Sequence, residues 1–240
     1  MTTASSDRPV AIVTGASRGL GRALAEGLAG QGWRLVIDAR GAADLGAAAE
    51  ALSTRTDVAA LPGDIADKEH RRELIGAAQA WGRLDLVVNN AGILGPSPQP
   101  ALADYPLAVL DEVYRINVLA PLGLTQLALP LLRASAGRLV NVTSDAAVEG
   151  YEGWGGYGSA KAALEQLSNV LAAEEPAVRV YWVDPGDMNT RMHAEAFPGE
   201  DISDRPGPEA PVPGFLALLD SDRPSGRYRT ADLAPAPVGP

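Results

Sequence analysis

The chain of 240 residues contains no cysteine, so disulfide bonds, thiolate nucleophiles and cysteine-bound metals are excluded. Its only two histidines, His70 and His193, lie far apart in the sequence, and we therefore expect no dedicated metal site. Basic residues are outnumbered by acidic ones, 20 against 30, which gives a formal net charge of -10. A nucleic-acid partner is not expected either, because proteins that bind nucleic acids carry clustered lysine and arginine.

Long apolar runs are also missing from the sequence. No run approaches the roughly 18 residues that a bilayer-spanning helix needs, so we expect no membrane segment. The leader Met1–Pro9 is polar and lacks the apolar stretch of a secretory signal, which favours a soluble, cytoplasmic protein. An apolar content of 46% and the total length predict one globular domain that spans residues 1–240.

Short β-rich segments alternate with longer helical ones, which predicts an α/β fold of the Rossmann type: one doubly wound parallel sheet with helices on both faces. The strand segments are almost continuously apolar, as in Leu86-Val87-Val88, which is typical of strands buried on both sides. Seven strands are predicted, at Val10–Thr14, Arg34–Asp38, Asp57–Pro62, Leu84–Asn89, Gly137–Thr143, Arg179–Val183 and Gly226–Thr230. Helices are predicted at Gly19–Gly30, Ala42–Ser53, Lys68–Ala80, Leu107–Arg133 and Gly156–Ala173.

Proline marks the places where this pattern should fail. Pro121 and Pro130 fall inside the predicted helix Leu107–Arg133, and we expect them to bend or break it. The segment 187–213 is rich in proline and charge and is predicted to be irregular. The two ends of the chain, residues 1–8 and 234–240, are predicted to fray.

A glycine-rich turn joins the first predicted strand to the first predicted helix. Its sequence, Thr14-Gly15-Ala16-Ser17-Arg18-Gly19-Leu20-Gly21, has the strand–turn–helix context that a dinucleotide fingerprint requires. Gly15 permits a tight turn, and Gly21 permits close packing of the helix on the strand. Gly19 lacks a Cβ where a pyrophosphate would approach the helix N-terminus. A purely structural turn can carry such glycines, but this context predicts dinucleotide binding.

Tyr157 and Lys161 are four residues apart in a predicted helix, which places both side chains on the same face. A free phenol has a pKa near ~10 and is a poor base at neutral pH, but a fixed cation nearby lowers that pKa. Ser144 follows a buried strand, at the edge where open α/β sheets bind ligands, and its hydroxyl can donate to a developing oxyanion. Each residue alone has a structural explanation, such as a helix cap for Ser144, so the prediction depends on the combination.

The order and spacing of these motifs resemble the short-chain dehydrogenase/reductase family over about Arg8 to Leu233. The resemblance implies an NAD(P)-dependent oxidoreductase that transfers hydride between nicotinamide and a carbonyl or secondary alcohol. It makes Tyr157 the general acid/base, while Ser144 orients the substrate oxygen and Lys161 holds the cofactor ribose and lowers the pKa of Tyr157. Asn117 resembles the helix-borne asparagine of this family that holds a water for proton relay; it could equally bind only backbone.

The resemblance also assigns the cofactor residues. The carboxylate that selects NAD falls on Ala39, whereas Arg40 and Arg18 stand where NADP-preferring members carry cations, so NADP(H) is favoured over NAD(H). Strand alternation directs Asp38 to the other side, although rotation of Asp38 onto the ribose would reverse the preference. The predicted cofactor residues are Gly15, Ser17, Arg18, Gly19, Leu20, Gly21, Arg40, Asp64, Ile65, Asn90, Ala91, Gly92, Tyr157, Lys161, Pro185, Gly186, Met188 and Thr190.

The substrate is less well defined by the sequence than the cofactor. Leu94, Tyr151 and Trp154 are candidate walls of a pocket for a small carbonyl or alcohol, and residues 187–213 are a candidate lid. By analogy with the family, the two longest predicted helices could pair about a twofold axis to form a homodimer or homotetramer. Two other functions stay open: a non-catalytic dinucleotide sensor, and an epimerase or dehydratase that uses the cofactor transiently.

Overall fold

The computed structural model describes residues 8–233, which form one seven-stranded sheet in the order β3-β2-β1-β4-β5-β6-β7. All neighbouring strands are parallel, as predicted. The strands are β1 (Val10–Val13), β2 (Arg34–Ala39), β3 (Val58–Pro62), β4 (Leu86–Asn89), β5 (Arg138–Val142), β6 (Arg179–Asp184) and β7 (Gly226–Arg229). The predicted Rossmann-type fold is therefore confirmed.

Helices cover both faces of this sheet. They are α1 (Gly19–Gly30), α2 (Ala42–Ser53), α3 (Lys68–Ala80), α4 (Leu107–Tyr114), α5 (Ala120–Ser135), α6 (Gly155–Glu174), α7 (Arg191–Ala196) and α8 (Val212–Leu219). One core cluster joins the sheet to α1, α2 and α8, with Leu24, Leu45 and Phe215 among its buried members. The other joins it to α3 and α5 through residues such as Leu74 and Leu124.

The long helix predicted at Leu107–Arg133 is interrupted, but its prolines do not act as expected. One π-helical turn, Arg115–Leu119, joins α4 to α5, and there the Ala120 N–H donates to the Arg115 carbonyl. Pro121 stands in the first turn of α5, where a missing N–H is tolerated. Pro130 lies inside α5 without ending it. The prediction that Pro130 would break the helix is wrong, because packing of the buried face of α5 in the core outweighs its local penalty.

The stretch Leu107–Ser135 is long and apolar enough, by length and composition, to cross a membrane. The expectation that no such segment exists is therefore wrong. Half of its most apolar window is buried inside the protein. Leu124, Ala128 and Leu132 of this stretch pack with α3 residues in the core, which accounts for its apolar character.

The segment 187–213 is less irregular than its prolines predict. It contains α7, whose first N–H groups are partly satisfied because the Thr190 hydroxyl accepts from the His193 N–H at 3.3 Å. Helix α8 begins near its end, at Val212, and buries Phe215 and Leu218 against the sheet. Neither helix was predicted, because each is short and their positions are set by tertiary packing.

Arg8, which was predicted to fray with the residues before it, is anchored. Its guanidinium donates to the Gly32 carbonyl at 3.0 Å and forms an ion pair with Asp57 at 3.3 Å. The other residues predicted to fray, 1–7 and 234–240, lie outside the described residues.

Candidate active site

A cleft of about 1290 Å³ opens at the carboxyl ends of the strands. The strand order reverses between β1 and β4, and open α/β sheets bind their ligands in the crevice at such a point. The lining includes nearly every residue that the sequence assigned to cofactor, substrate or catalysis. Two predicted residues, Gly21 and Asn117, are not part of the lining.

The glycine turn has the conformation that its sequence requires. Gly15 and Gly19 have φ angles of 67° and 56°, in the left-handed region that favours glycine. Gly21 has no room for a Cβ, which would collide with the Gly15 carbonyl and the Asn90 amide. Gly21 therefore sets the packing of the turn and does not line the cleft.

The N-terminus of α1 suits a pyrophosphate. No side chain caps it, and its first turn carries no acidic residue. The first N–H groups of a helix lack intrahelical acceptors and carry a partial positive charge, so an anion binds there readily. A Cβ built on Gly19 would meet only the Thr190 methyl, at 3.8 Å, so this position leaves open space for a ligand. These features fit a dinucleotide.

Side chains of the neighbouring strands hold the glycine turn in place. The Asn90 amide donates to the Thr14 carbonyl at 2.9 Å, and the Thr14 hydroxyl accepts from the backbone N–H groups of Asn90 and Ala91, both at 3.0 Å. Asn90 lines the cleft, as predicted, but its amide braces the turn. The glycine turn is therefore fixed by the residues that follow β1 and β4.

Asp38 anchors the same turn from β2. Its carboxylate is 1% exposed; one oxygen accepts from the Gly15 N–H at 2.8 Å and the other lies 3.1 Å from Nε2 of the buried His70. The hydrogen bond with Asp38 raises the pKa of His70 above its usual value, although burial opposes the shift. Both oxygens of Asp38 are thus engaged within the protein, which argues against its rotation onto a ribose.

The end of the cleft beside β2 carries two arginines. Arg18 and Arg40 are exposed and line the cleft, and Ala39, the last residue of β2, brings no carboxylate. None of the ion pairs found within residues 8–233 includes Arg18 or Arg40. The nearby Asp64 is engaged elsewhere, because its carboxylate lies 3.6 Å from Arg115 and accepts from a backbone N–H.

Tyr157 and Lys161 lie on the same side of α6, as their spacing predicts. Both are buried, with 9% and 4% of their surface exposed, and the Lys161 Nζ lies 5.5 Å from the centroid of the Tyr157 ring. The Lys161 Nζ donates to the Val142 carbonyl at 2.7 Å. The first turns of α6 are therefore tied to the end of β5.

The ionisation of this pair differs from the expectation. Burial raises the pKa of the Tyr157 phenol above its usual value, and the charges of Asp184 and Asp145 raise it further. Burial also lowers the pKa of Lys161 to about 8, against the opposing charge of Glu165. Among the groups of the protein itself, the net shift of the Tyr157 pKa is therefore upward, opposite to the expected lowering, because removal from water is its largest cause.

Ser144 lines the cleft and also caps a short 3₁₀ turn, Asp145–Ala147. Its hydroxyl donates to Asp145 Oδ1 at 2.9 Å and accepts from the Ala146 N–H at 3.2 Å. The Tyr151 hydroxyl donates to the other oxygen of Asp145 at 3.0 Å. Asp145 was not predicted as a site residue; the only signal in the sequence was its place directly after Ser144.

Asn117 lies in the π-helical turn and is 1% exposed. Its amide donates to the Ile93 carbonyl at 2.8 Å, and its carbonyl oxygen accepts from the Ile93 N–H at 2.9 Å. The side chain thus fixes the loop after β4, which is the backbone role left open by the sequence. Because Pro121 has no N–H, it cannot donate to the Asn117 carbonyl four residues earlier.

Apolar residues form the substrate end of the cleft. The predicted walls Leu94 and Trp154 pack with Tyr157, and the Trp154 ring centroid lies 5.9 Å from that of Tyr157. Two further wall residues, Met192 and Phe197, come from α7 and its C-terminal end, within the segment 187–213 that the sequence predicted only as a candidate lid. The spacing of Met192 and Ala196, both of which pack in this cluster, is the helical signal that could have revealed this wall. Tyr151 is 47% exposed at the rim.

Gly158 allows α6 to approach Ser144. A Cβ on Gly158 would lie 2.5 Å from the Ala146 carbonyl oxygen, closer than real Cβ contacts allow. The Gly158 position directly follows Tyr157, so this contact sets the distance between the tyrosine and the serine turn.

Comparisons with known proteins agree with this geometry. A family model described as short chain dehydrogenase matches residues 9–201. The rhamnolipids biosynthesis 3-oxoacyl-(acyl-carrier-protein) reductase of Pseudomonas aeruginosa is 39% identical over 196 residues, covering 76% of this chain and 74% of that protein. Sepiapterin reductase of Rattus norvegicus is 36% identical over 197 residues, covering 76% and 75%. A crystal structure of a short chain dehydrogenase from Shigella flexneri 2a strain 301 complexed with NADP has a TM-score of 0.85 at 32% identity, covering 94% and 97%.

The substitution Gly158→Ala tests the close approach of α6. We expect it to lower the free energy of unfolding by about 1–3 kcal/mol, because the added methyl must displace the Ala146 carbonyl. Gly76→Ala is the matched control, since Gly76 is helical and exposed with nothing near its Cβ position. It should stabilise the protein by about 0.5–1 kcal/mol through helix propensity. Urea unfolding measures both; equal effects would contradict the packing argument.

The Asp38–His70 pair predicts a pH-dependent stability. The folded pKa of His70 is raised, so the pair stabilises the protein fully below the unfolded pKa of about 6.5 and loses this contribution as pH rises through the folded pKa. Asp38→Asn removes the charge that holds the proton on His70. We therefore expect this variant to lose more unfolding free energy at pH 6 than at pH 9, measured by urea denaturation. The same loss at both pH values would show that His70 protonation does not contribute.

Proposed function

The chain belongs to the short-chain dehydrogenase family, and from that premise we propose that it is an NADP(H)-dependent reductase of small carbonyl compounds with Tyr157 as the proton donor. Its family and its relatives make it an oxidoreductase that uses a nicotinamide dinucleotide. One observation carries the finer proposal: the buried Tyr157–Lys161 pair and Ser144 line the same cleft as the glycine turn.

The cofactor would extend along this cleft from β2 to β6. The glycine turn and the uncapped N-terminus of α1 would hold its pyrophosphate, and Lys161 with Asn90–Gly92 would hold the nicotinamide ribose. Residues after β6, including Gly186 with its φ of 76°, would meet the nicotinamide end. When bound, NADPH supplies a hydride, which no protein side chain can supply.

Tyr157 is suited to proton donation. Its raised pKa keeps the phenol protonated at neutral pH, the form that can donate to a carbonyl oxygen as negative charge develops there. Ser144, in the same cleft, would donate a hydrogen bond to that oxygen and orient it. Lys161, with a pKa of about 8, is mostly cationic at pH 7 and would hold the ribose while its charge favours the tyrosinate left behind.

Reprotonation of Tyr157 would draw a proton from solvent by way of Lys161. The Asn117 side chain is occupied by Ile93, so its backbone carbonyl, which Pro121 cannot satisfy, is the group that would hold a relay water. The proposed relay thus uses the backbone of Asn117, a residue for which the family resemblance implied a relay water without specifying the atom.

Three observations favour NADP(H) over NAD(H). Arg18 and Arg40 are exposed at the adenosine end, where the additional phosphate of NADP would lie. Ala39 offers no carboxylate, and both oxygens of Asp38 are engaged by Gly15 and His70. The similar protein from Shigella flexneri is complexed with NADP, which supports the same choice here.

We also propose that the protein is a cytoplasmic homodimer or homotetramer. Its most membrane-like stretch is half-buried in the core, which supports a water-soluble protein. Leu107, Leu119 and Val170 are large apolar residues that stay exposed on or beside α4, α5 and α6, the helices expected to pair about a twofold axis. Sedimentation velocity would show a single monomeric species if this pairing does not occur.

The substitution Tyr157→Phe tests the proposed reaction. We expect the turnover of a ketone panel to fall about 10²–10⁴-fold, because the proton donor is lost. The ring that packs with Trp154 is kept, so the NADPH dissociation constant and the melting temperature should change little. The assay follows NADPH absorbance, since net oxidation distinguishes a reductase from an epimerase or dehydratase. Near-normal turnover would remove Tyr157 from the mechanism.

The substitution Arg40→Ser tests the coenzyme preference. We expect NADPH binding to weaken about 10–100-fold, the loss of one charge-assisted hydrogen bond, while NADH binding stays the same. Arg55→Ser is the charge-matched control, because Arg55 is exposed and lies outside the cleft. Fluorescence titration gives the dissociation constants of NADPH and NADH for the unsubstituted protein and for both variants. Equal weakening of NADPH and NADH would refute recognition of the phosphate.

A further inference from the structure

The substrate end of the cleft contains acidic side chains, most of which have cationic partners. Asp184 lies 3.4 Å from Arg227 and 3.9 Å from Arg229. Glu195 forms an ion pair with Arg191 at 2.7 Å. These carboxylates are therefore balanced within the protein.

Asp145 is the exception at this end. Its carboxylate accepts hydrogen bonds only from neutral groups: the Ser144 hydroxyl at 2.9 Å, the Ala146 N–H at 2.8 Å and the Tyr151 hydroxyl at 3.0 Å. No cation within residues 8–233 lies within 4.0 Å of it, by the same criterion that pairs Asp184 and Glu195. Asp145 is only partly exposed and lines the cleft, so its charge acts on whatever binds there.

This unbalanced charge opposes the proposed reaction in two ways. The Ser144 hydroxyl donates its only proton to Asp145, so it cannot at the same time donate to a substrate oxygen. The negative charge of Asp145 also raises the pKa of Tyr157 and makes it a weaker proton donor. Both effects would be relieved by a positive charge bound at Asp145.

A substrate can supply that charge. A cationic group on Asp145 would compete with Ser144 for the carboxylate oxygen and leave the serine hydroxyl to turn toward the carbonyl oxygen. It would also cancel the field that Asp145 exerts on Tyr157. A substrate with a carboxylate or phosphate in this position would have the opposite effect, because like charges repel in a partly buried site.

We propose that Asp145 is a specificity-determining residue that selects amino ketones, in which a protonated amine lies one or two carbons from the carbonyl. The inference rests on the proposed carbonyl reduction and specifies its substrate class. The spacing follows from the geometry: Asp145 Oδ1 lies 2.9 Å from the Ser144 Oγ, and each would bond its own substrate atom at roughly 3 Å. A substrate whose amine nitrogen and carbonyl oxygen are near neighbours can therefore bond both groups at once.

The walls around Asp145 suit the rest of such a molecule. Leu94, Trp154 and Met192 offer apolar surface next to Tyr157. The Trp154 ring also lies between Tyr151 and Phe197, with ring centroids 6.4 and 5.8 Å away. Aromatic rings attract cations as well as apolar groups, so this arrangement tolerates an ammonium group near its edge.

The experiment compares three ketones of similar size with the full-length protein and NADPH at pH 7. The probes are cationic 4-aminobutan-2-one, neutral pentan-2-one and anionic 4-oxopentanoate. We expect kcat/KM to be at least tenfold higher for the cationic ketone than for the neutral one, and lowest for the anionic one. In Asp145→Asn the ratio of the cationic to the neutral value should fall at least tenfold.

Glu149→Gln is the matched control, because it removes one negative charge from an exposed residue four positions away that does not line the cleft. It should leave the cationic-to-neutral ratio within twofold of the starting protein. Equal kcat/KM for the three ketones, or an equal change in both variants, would overturn the role of Asp145 but leave the reductase proposal intact. Failure to oxidise NADPH with any ketone would overturn both. If Asp145→Asn does not fold, equal kcat/KM for the three ketones on the unsubstituted protein still overturns the role of Asp145.

Discussion

The geometry of the candidate site depends on the hydrogen bond from the Lys161 ammonium to the Val142 carbonyl. It fixes α6 at the end of β5. In the sheet, β5 pairs with β4 and β4 pairs with β1, which leads into the glycine turn. Because α6 also carries Tyr157, the phenol is fixed relative to the cleft by the same contact. The position of the proposed proton donor is thus set by a contact between its helix and the backbone of β5.

The charge distribution of the cleft depends on which of its carboxylates already have partners within the protein. Both oxygens of Asp38 are engaged by Gly15 and His70, at the end of the cleft that Arg18 and Arg40 line. At the other end Asp184 is paired with Arg227 and Arg229, while Asp145 is left with neutral partners. The proposed anionic cofactor and the proposed cationic substrate would therefore bind at opposite ends of one cleft, where the charges match each of them.

Local sequence signals predict most of this fold. The bounds of α1, α2 and α3 match the predicted segments, since each is a regular helix between apolar strands with clear ends. The glycine turn was also predictable, because Gly15 and Gly19 have positive φ angles, which other residues rarely adopt. Tyr157 and Lys161 could be paired from spacing alone because a helix fixes that distance.

The features that sequence could not supply depend on contacts between distant segments. Helix α5 continues past Pro130 because its buried face packs in the core. Helix propensities of single residues do not include this packing energy. The ion pair of Asp38 with His70 joins β2 to α3 across 32 residues. The direction of the Tyr157 pKa shift required knowing how deeply the phenol is buried. Asp145 looked like an ordinary turn residue until its three neutral donors were visible.

Burial of the Lys161 amine has a thermodynamic consequence for the whole protein. Its pKa falls from 10.5 to about 8, which corresponds to roughly 3 kcal/mol of folding free energy lost at neutral pH, where the amine must enter the core as a cation. Between these two values the folded chain holds fewer protons than the unfolded chain, so the deficit shrinks as the solution becomes more alkaline. The protein thus keeps a charged amine in its core beside Tyr157 at a cost to its own thermostability.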